Sequence, residues 1–180
     1  MASPKGFLSC CSAWTLASCS LFLFLLVLTS QGAVVPLRDR CRLKNSDFEV
    51  SFINQRILNL SKKASDQDTI TDIRLINSTF PQDVQVGDRC YLMKQILNFT
   101  LEVVIPPQYT QLMPFIQDVE SFFSDLHRKL RYCNTVSGGQ HVESHVETLK
   151  KTVTKLGKKG MNKVIGELNL LFMALKHACV

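Results

Sequence analysis

From about residue 47 to the C-terminus, apolar side chains recur every three or four residues in five separate stretches. None of them alternates apolar and polar residues as a half-buried strand does. A chain so patterned buries its apolar surface by packing helices on one another. Ser46 and Glu49 form the S-x-x-E pattern of a capping box ahead of Phe52, Ile53, Ile57 and Leu60, which predicts a helix over 47–64. Cys90, Met93, Leu97, Leu101 and Val104 form one stripe over 88–105, with Lys94, Gln95, Asn98 and Glu102 on its wet side and Pro106-Pro107 at its end. Pro114 suits the first turn of a third helix. Its stripe is Phe115, Val119, Phe122, Leu126 and Leu130, and it closes near Cys133. Val142, Val146, Leu149, Val153 and Leu156 mark a fourth; Gly157 and Gly160 are expected to break the chain before a last helix over 161–179.

That last helix is apolar on two sides. At about 3.6 residues per turn, Met161, Val164, Ile165, Leu168, Leu171, Phe172 and Leu175 share a core face. Leu170 and Met173 fall nearly opposite, beside Gly166, with Lys163 and His177 at the edges. An apolar patch with a charged rim, away from the core, is the signature of a docking surface for another protein. The alternative is that a neighbouring element of the same chain covers the pair.

Between the first two helices, Ser65 to Gly87 is polar, irregular and too long for a turn. It reads as a functional segment or as an overhand crossover along a bundle.

The front of the chain sets the compartment. Lys5, an apolar run densest from Leu21 to Leu28, and the small residues Ser30-Gln31-Gly32-Ala33 follow the order of a signal peptide, cut after Gly32. A retained membrane anchor is the rival, but the strongly apolar part is short for a bilayer span. Removing residues 1–32 of the 180 is expected to leave a single domain over 33–180, and with no second apolar span in the sequence the mature product is expected to be soluble. The formal charge of +6 loses only Lys5 with the leader, and this mild excess does not argue for nucleic acid. Of seven cysteines, Cys41, Cys90, Cys133 and Cys179 remain. In an exported chain they read as two disulfides with three possible pairings. If the crossover makes the first two main helices parallel and the short loops make the others antiparallel, all four cysteines gather at one end, where any pairing could close. Asn59, Asn77 and Asn98 head N-x-S/T sequons and are expected to face water.

Little here suits catalysis. His141 and His145 are spaced like the histidines of a helical zinc motif, but the Glu is out of place and no third ligand is evident. No nucleophile elbow or phosphate loop occurs, and paired cysteines leave no thiol nucleophile. No metal, cofactor or enzymatic activity is expected. Lys150, Lys151, Lys155, Lys158, Lys159 and Lys163 form either a solvated face or a weak site for heparin-like polyanions.

Residues 89–102 (RCYLMKQILNFTLE), Ile165-Gly166-Glu167-Leu168, Leu170-Leu171-Phe172-Met173 and Ala178-Cys179 resemble the corresponding segments of the interleukin-10 cytokine family, and the resemblance runs almost without gaps from Cys41 to Val180. It implies an all-α, six-helix interleukin-10-like bundle, with short extra helices in the crossover and disulfides Cys41 with Cys133 and Cys90 with Cys179. It also implies a secreted monomer that binds a heterodimeric class II cytokine receptor and triggers JAK–STAT signalling in epithelial, non-haematopoietic cells. A soluble receptor-like antagonist is a further implied partner. By position, the high-affinity chain would meet Thr71, Asp72, Ile73 and Arg74 in the crossover and Gly166, Glu167, Leu170 and Met173 in the last helix. Leu170 and Met173 would be its desolvated centre, Gly166 would permit close approach, and Asp72, Arg74 and Glu167 would set register. The shared second chain would meet Phe52, Gln55, Arg56, Phe115 and Asp118. Phe52 and Phe115 stand where the family pattern carries tyrosines, and Gln55 replaces a glycosylated Asn, so aromatic area is kept while hydroxyls and a sugar are lost. Two other classes compete: a lipid carrier with Leu170 and Met173 lining a cavity, and a heparin-binding or antimicrobial protein driven by the lysines.

Overall fold

The computed structural model describes residues 40–76 and 80–180. The expected leader and its cleavage site lie outside the described residues, as does Asn77. Seven α-helices and no strand occur among the described residues, one helix more than the resemblance implies.

The first helix starts later than its capping signal suggests. The Asp47 carboxylate accepts the Lys44 N–H at 2.9 Å, closing a 3-10 turn over Asn45–Phe48 ahead of the expected Ser46/Glu49 box. α1 then runs Ile53–Ser65 and buries Ile53, Ile57, Leu60, Ser61 and Ala64 along one stripe. Only a 3-10 turn at Val86–Asp88 interrupts the described crossover. α2 (Arg89–Phe99) passes into a wider π turn over Thr100–Val104. There the buried Thr100 hydroxyl donates back to the Ile96 carbonyl at 2.8 Å, and the Ile105 N–H reaches the Thr100 carbonyl at 3.0 Å.

Pro106-Pro107 does not end the helical path. A 3-10 turn (Pro106–Gln108) and a short α3 (Tyr109–Leu112) follow. The break comes at Met113, which is extended because the next residue is a proline. α4 (Phe115–Lys129) buries Ile116, Val119, Phe123 and Leu126, so its core stripe is rotated from the expected one; Phe115 and Phe122 flank it, half-buried. α5 (Gln140–Leu156) buries Val142, Val146, Leu149 and Val153 as expected.

After α5 the chain turns sharply at Gly157 (φ 58°, ψ −133°), a conformation that favours glycine. Gly160 does not break the chain: it lies inside α6 (Lys158–Gly166), where a Cβ would meet the Val153 carbonyl oxygen at 2.7 Å. Its missing side chain lets α6 fold tightly back on α5. The expected single last helix is also interrupted, at Glu167 (φ −102°, ψ 12°), before α7 (Leu168–Cys179).

Two ion pairs fix the antiparallel order of α4 and the segment that leads into α1. Lys129, at the end of α4, meets Asp47 ahead of α1 at 2.6 Å, and Asp118, in the first turn of α4, meets Arg56 in the first turn of α1 at 3.4 Å. The disulfides are Cys41–Cys133 and Cys90–Cys179, the pairing implied by the family resemblance and one of three the spacing allowed. The Leu43 N–H donates to the Cys179 carbonyl at 2.7 Å, which brings the two bridges to one end of the bundle. Each spans about 90 residues of sequence, worth roughly 4–5 kcal/mol in the chain-entropy account.

Candidate functional site

The crossover is shaped by two side chains from the far end of the chain. Glu167, 8% exposed, accepts the Leu75 N–H at 2.9 Å and the Ile76 N–H at 2.6 Å through one oxygen, Oε2. Lys163, four residues earlier, donates to the Asp68 carboxylate at 2.9 Å and the Ile70 carbonyl at 2.7 Å, and lies 3.7 Å from Glu167 Oε1. Burial pushes the Glu167 carboxyl above its ordinary range; the Ile76 N–H, Lys163, the Leu75 N–H and Arg74 act the other way without cancelling it. The interruption between α6 and α7 falls at Glu167, the residue that reaches the loop. Lys163 is therefore no free rim charge, and the Glu167 hydrogen bonds lie within the molecule.

These ties gather the expected high-affinity face. Thr71, Asp72, Ile73 and Arg74 are exposed and share one shallow depression of about 670 Å³ with Lys163, Gly166, Glu167 and Leu170. Met173 stands one turn beyond Leu170 and is 59% exposed. Leu170 is not bare: it is half-buried against the core. The close approach at Gly166 serves the chain itself, since a Cβ there would lie 2.8 Å from Ser65 Oγ. Asp68, Ile70, Leu75 and Ile76 have no part in the sequence-based expectations, which place Lys163 at the rim of the patch and Glu167 on the receptor face. The visible signal was the Lys-x-x-x-Glu spacing of 163 and 167.

The second set of residues also comes together. Phe52, 56% exposed, precedes α1. The Arg56 guanidinium pairs with Asp118 and lies over the Phe115 ring, 5.5 Å from its centroid. Gln55 is exposed and donates to Asn59 Oδ1 at 2.9 Å. Asn59 is exposed, whereas Asn98 is half-buried and donates to Glu102 at 2.9 Å.

Other expectations need correction. Lys94 is not a free wet-side lysine: it donates to the Arg131 and Cys133 carbonyls at 3.1 and 2.8 Å, beyond the end of α4, and burial lowers its pKa. His145 Nε2 lies 2.9 Å from Asp83 Oδ1, and His141 Nδ1 lies 3.4 Å from Asp83 Oδ2, so both histidines face a crossover carboxylate. The His145 hydrogen bond holds the Asp83 carboxyl below its ordinary range. Among the described residues no group of three or more ligating side chains could hold a metal ion, and no helix is long and apolar enough to cross a membrane. A groove of about 720 Å³ under the crossover is floored by Leu92, Met93, Ile96 and Leu149; Leu170 and Met173 do not line it, which removes the pair on which the lipid-carrier alternative rested.

Comparison with known proteins agrees with this architecture. The family described as "Interleukin 22 IL-10-related T-cell-derived-inducible factor" matches residues 41–179. Human interleukin-22 is 45% identical over 163 residues, covering 91% of this chain and 90% of the relative. Mouse interleukin-22b is 43% identical over 165 residues with the same coverage. Human interleukin-26 is 29% identical over 110 residues, 61% of this chain and 63% of that protein. These relatives are interleukins, cytokines rather than enzymes. With its seven helices and paired disulfides, the chain belongs to the interleukin-22 family of interleukin-10-type helical cytokines.

Proposed function

We propose that this cytokine is exported after loss of its leader and acts as a monomer on a heterodimeric class II cytokine receptor. The high-affinity chain covers Thr71, Asp72, Ile73, Arg74, Gly166, Leu170 and Met173. The shared chain covers Phe52, Gln55, Arg56, Phe115 and Asp118. Pairing of the two receptor tails then activates JAK–STAT signalling in epithelial cells, and a soluble receptor-like antagonist competes for the first face.

One observation supports this reading above the rest. The exposed Met173 stands on the helix whose first turns share a depression with the exposed loop 71–74, although those segments are about 100 residues apart in sequence. An unbranched, polarisable side chain left open beside a shaped, charged loop suits the centre of a protein interface. Glu167 enters as the residue that shapes the loop.

The test is binding of the 33–180 chain to the ectodomain of the high-affinity receptor chain. Met173→Glu is expected to weaken binding more than about thirtyfold, the scale of a central contact, with an unchanged far-UV circular dichroism spectrum. Wild-type affinity in the substituted protein sinks the assignment of this face.

A further inference from the structure

Between Thr148 and Lys163 the sequence contains six lysines and no acidic residue. The structure divides them. Lys163 is held among Asp68, Ile70 and Glu167, and Lys150 pairs with Glu147 at 3.4 Å. Lys151, Lys155, Lys158 and Lys159 are exposed and have no carboxylate partner among the described residues. Lys151 and Lys155 are one turn apart on α5, with Cβ atoms about 6 Å from one another. Lys158 and Lys159 follow at once across the Gly157 elbow.

The elbow lies at the pole away from the disulfides. α5 leaves the cysteine end after Cys133 and runs 17 residues, about 26 Å, before Gly157. Cationic side chains so placed, and left without acids, create a positive field that extends into solvent.

We infer that Lys151, Lys155, Lys158 and Lys159 form a binding surface for a sulfated polysaccharide of the heparan type. The side chains at the elbow select this partner. No exposed large apolar side chain occurs on α5 or α6, so nothing there would insert into a bilayer. No Phe, Tyr or Trp occurs from 134 to 171, so there is no platform on which bases could stack. Lysine ammonium groups act as strongly hydrated point charges and do not impose the planar fork of arginine, which suits a chain of repeated sulfates. None of the four lysines belongs to either proposed receptor face, so the polysaccharide and the receptor can be held together. The surface would retain the cytokine on a cell coat without hiding Met173.

The experiment uses the disulfide-bonded 33–180 chain and a size-defined heparin dodecasaccharide at about 0.15 M salt, where exposed charges more than about 8 Å apart are screened. Replacing all four lysines by alanine is expected to weaken binding by about tenfold or more. A control loses the same charge elsewhere, through Arg42, Lys44, Arg128 and Arg131→Ala, and is expected to stay within about threefold of wild type. Both proteins must keep the wild-type circular dichroism spectrum; if the lysine variant does not, four Lys→Gln replacements take its place. The wild type captured on immobilised heparin is expected to go on binding the receptor ectodomain, a readout separate from the Met173→Glu result. Absence of binding at this salt overturns the inference, as does equal loss in both charge variants. Binding to N- and O-desulfated heparin or to duplex DNA as tight as to heparin also overturns it.

Discussion

Glu167 and Ile76, 91 residues apart in sequence, meet at 2.6 Å, the carboxylate accepting the backbone N–H of a loop that has no helix of its own at that point. This contact and its neighbour at Leu75 give an irregular segment a defined shape without secondary structure. A buried amide left without an acceptor costs about 1–3 kcal/mol, so the carboxylate does more for the loop than any exposed contact could. Preorganisation of this kind lowers the ordering cost when a partner binds.

Glu167→Ala is accordingly expected to raise amide hydrogen exchange across 70–76 and to speed dissociation from the high-affinity receptor chain. Glu167→Gln keeps an acceptor oxygen at the same place and should restore much of the protection. Identical exchange in all three proteins would show that the loop holds its shape without this side chain.

The two perturbed carboxylates at the loop and at the start of the bundle predict opposite pH behaviour. Burial raises the Asp47 pKa, but the hydrogen bond from Lys129, the Lys44 N–H and their charges outweigh it, and the net value lies below the ordinary 3.8. Asp47 therefore contributes stability above that ordinary value, lost as pH falls through the folded one. Glu167 lies above its ordinary 4.5, so the folded chain holds its proton more tightly than the unfolded chain does, and its contribution rises as pH falls toward 4.5. Urea unfolding across pH 3–7 should show the deficit of Asp47→Asn shrinking at the acid end. The advantage of Glu167→Gln over a Glu167 protein, in its pH-dependent part, should shrink between neutrality and about 4.5. Parallel curves would contradict both assignments.

Gly160→Ala is expected to destabilise the fold by about 1–3 kcal/mol, the usual cost of overpacking, because the new methyl group would press on the Val153 backbone and on Leu156 Cβ. Gly157→Ala would strain the elbow for a different reason, its positive φ, with open space around it. Thermal unfolding distinguishes the glycine effects from those on receptor binding: Met173 lies on another helix, and folded Gly160→Ala protein should bind the first receptor chain normally.

The Arg56–Asp118 pair is exposed on both sides, at 39% and 44%, and such pairs add about 0–1 kcal/mol to stability. Arg56→Ala should therefore leave unfolding nearly unchanged and first-chain affinity intact. It should weaken assembly of the three-component complex and STAT phosphorylation, since the guanidinium also lies over the Phe115 ring of the proposed second face. Loss of first-chain affinity in Arg56→Ala would mean that the two faces are not separate.

Periodicity in the sequence determined that the chain is helical, where the crossover lies, and which side of each of α1 and α5 is buried; cysteine spacing determined that a parallel first pair of helices would collect the cysteines at one end. Each of these is a property of a segment relative to its own axis. Only the tertiary structure decided the rest. The cysteine pairing, the half-cover over Leu170, the inward turn of Lys163 and Glu167, the Lys94 contacts beyond the end of α4 and the close packing at Gly160 all depend on groups that approach from elsewhere. Met173 is the informative exception: it projects outward on its own helix and, among the described residues, no other element comes to cover it. Glu167 is the opposite case, a charged residue whose partners lie about 90 residues away, where no local pattern can register them.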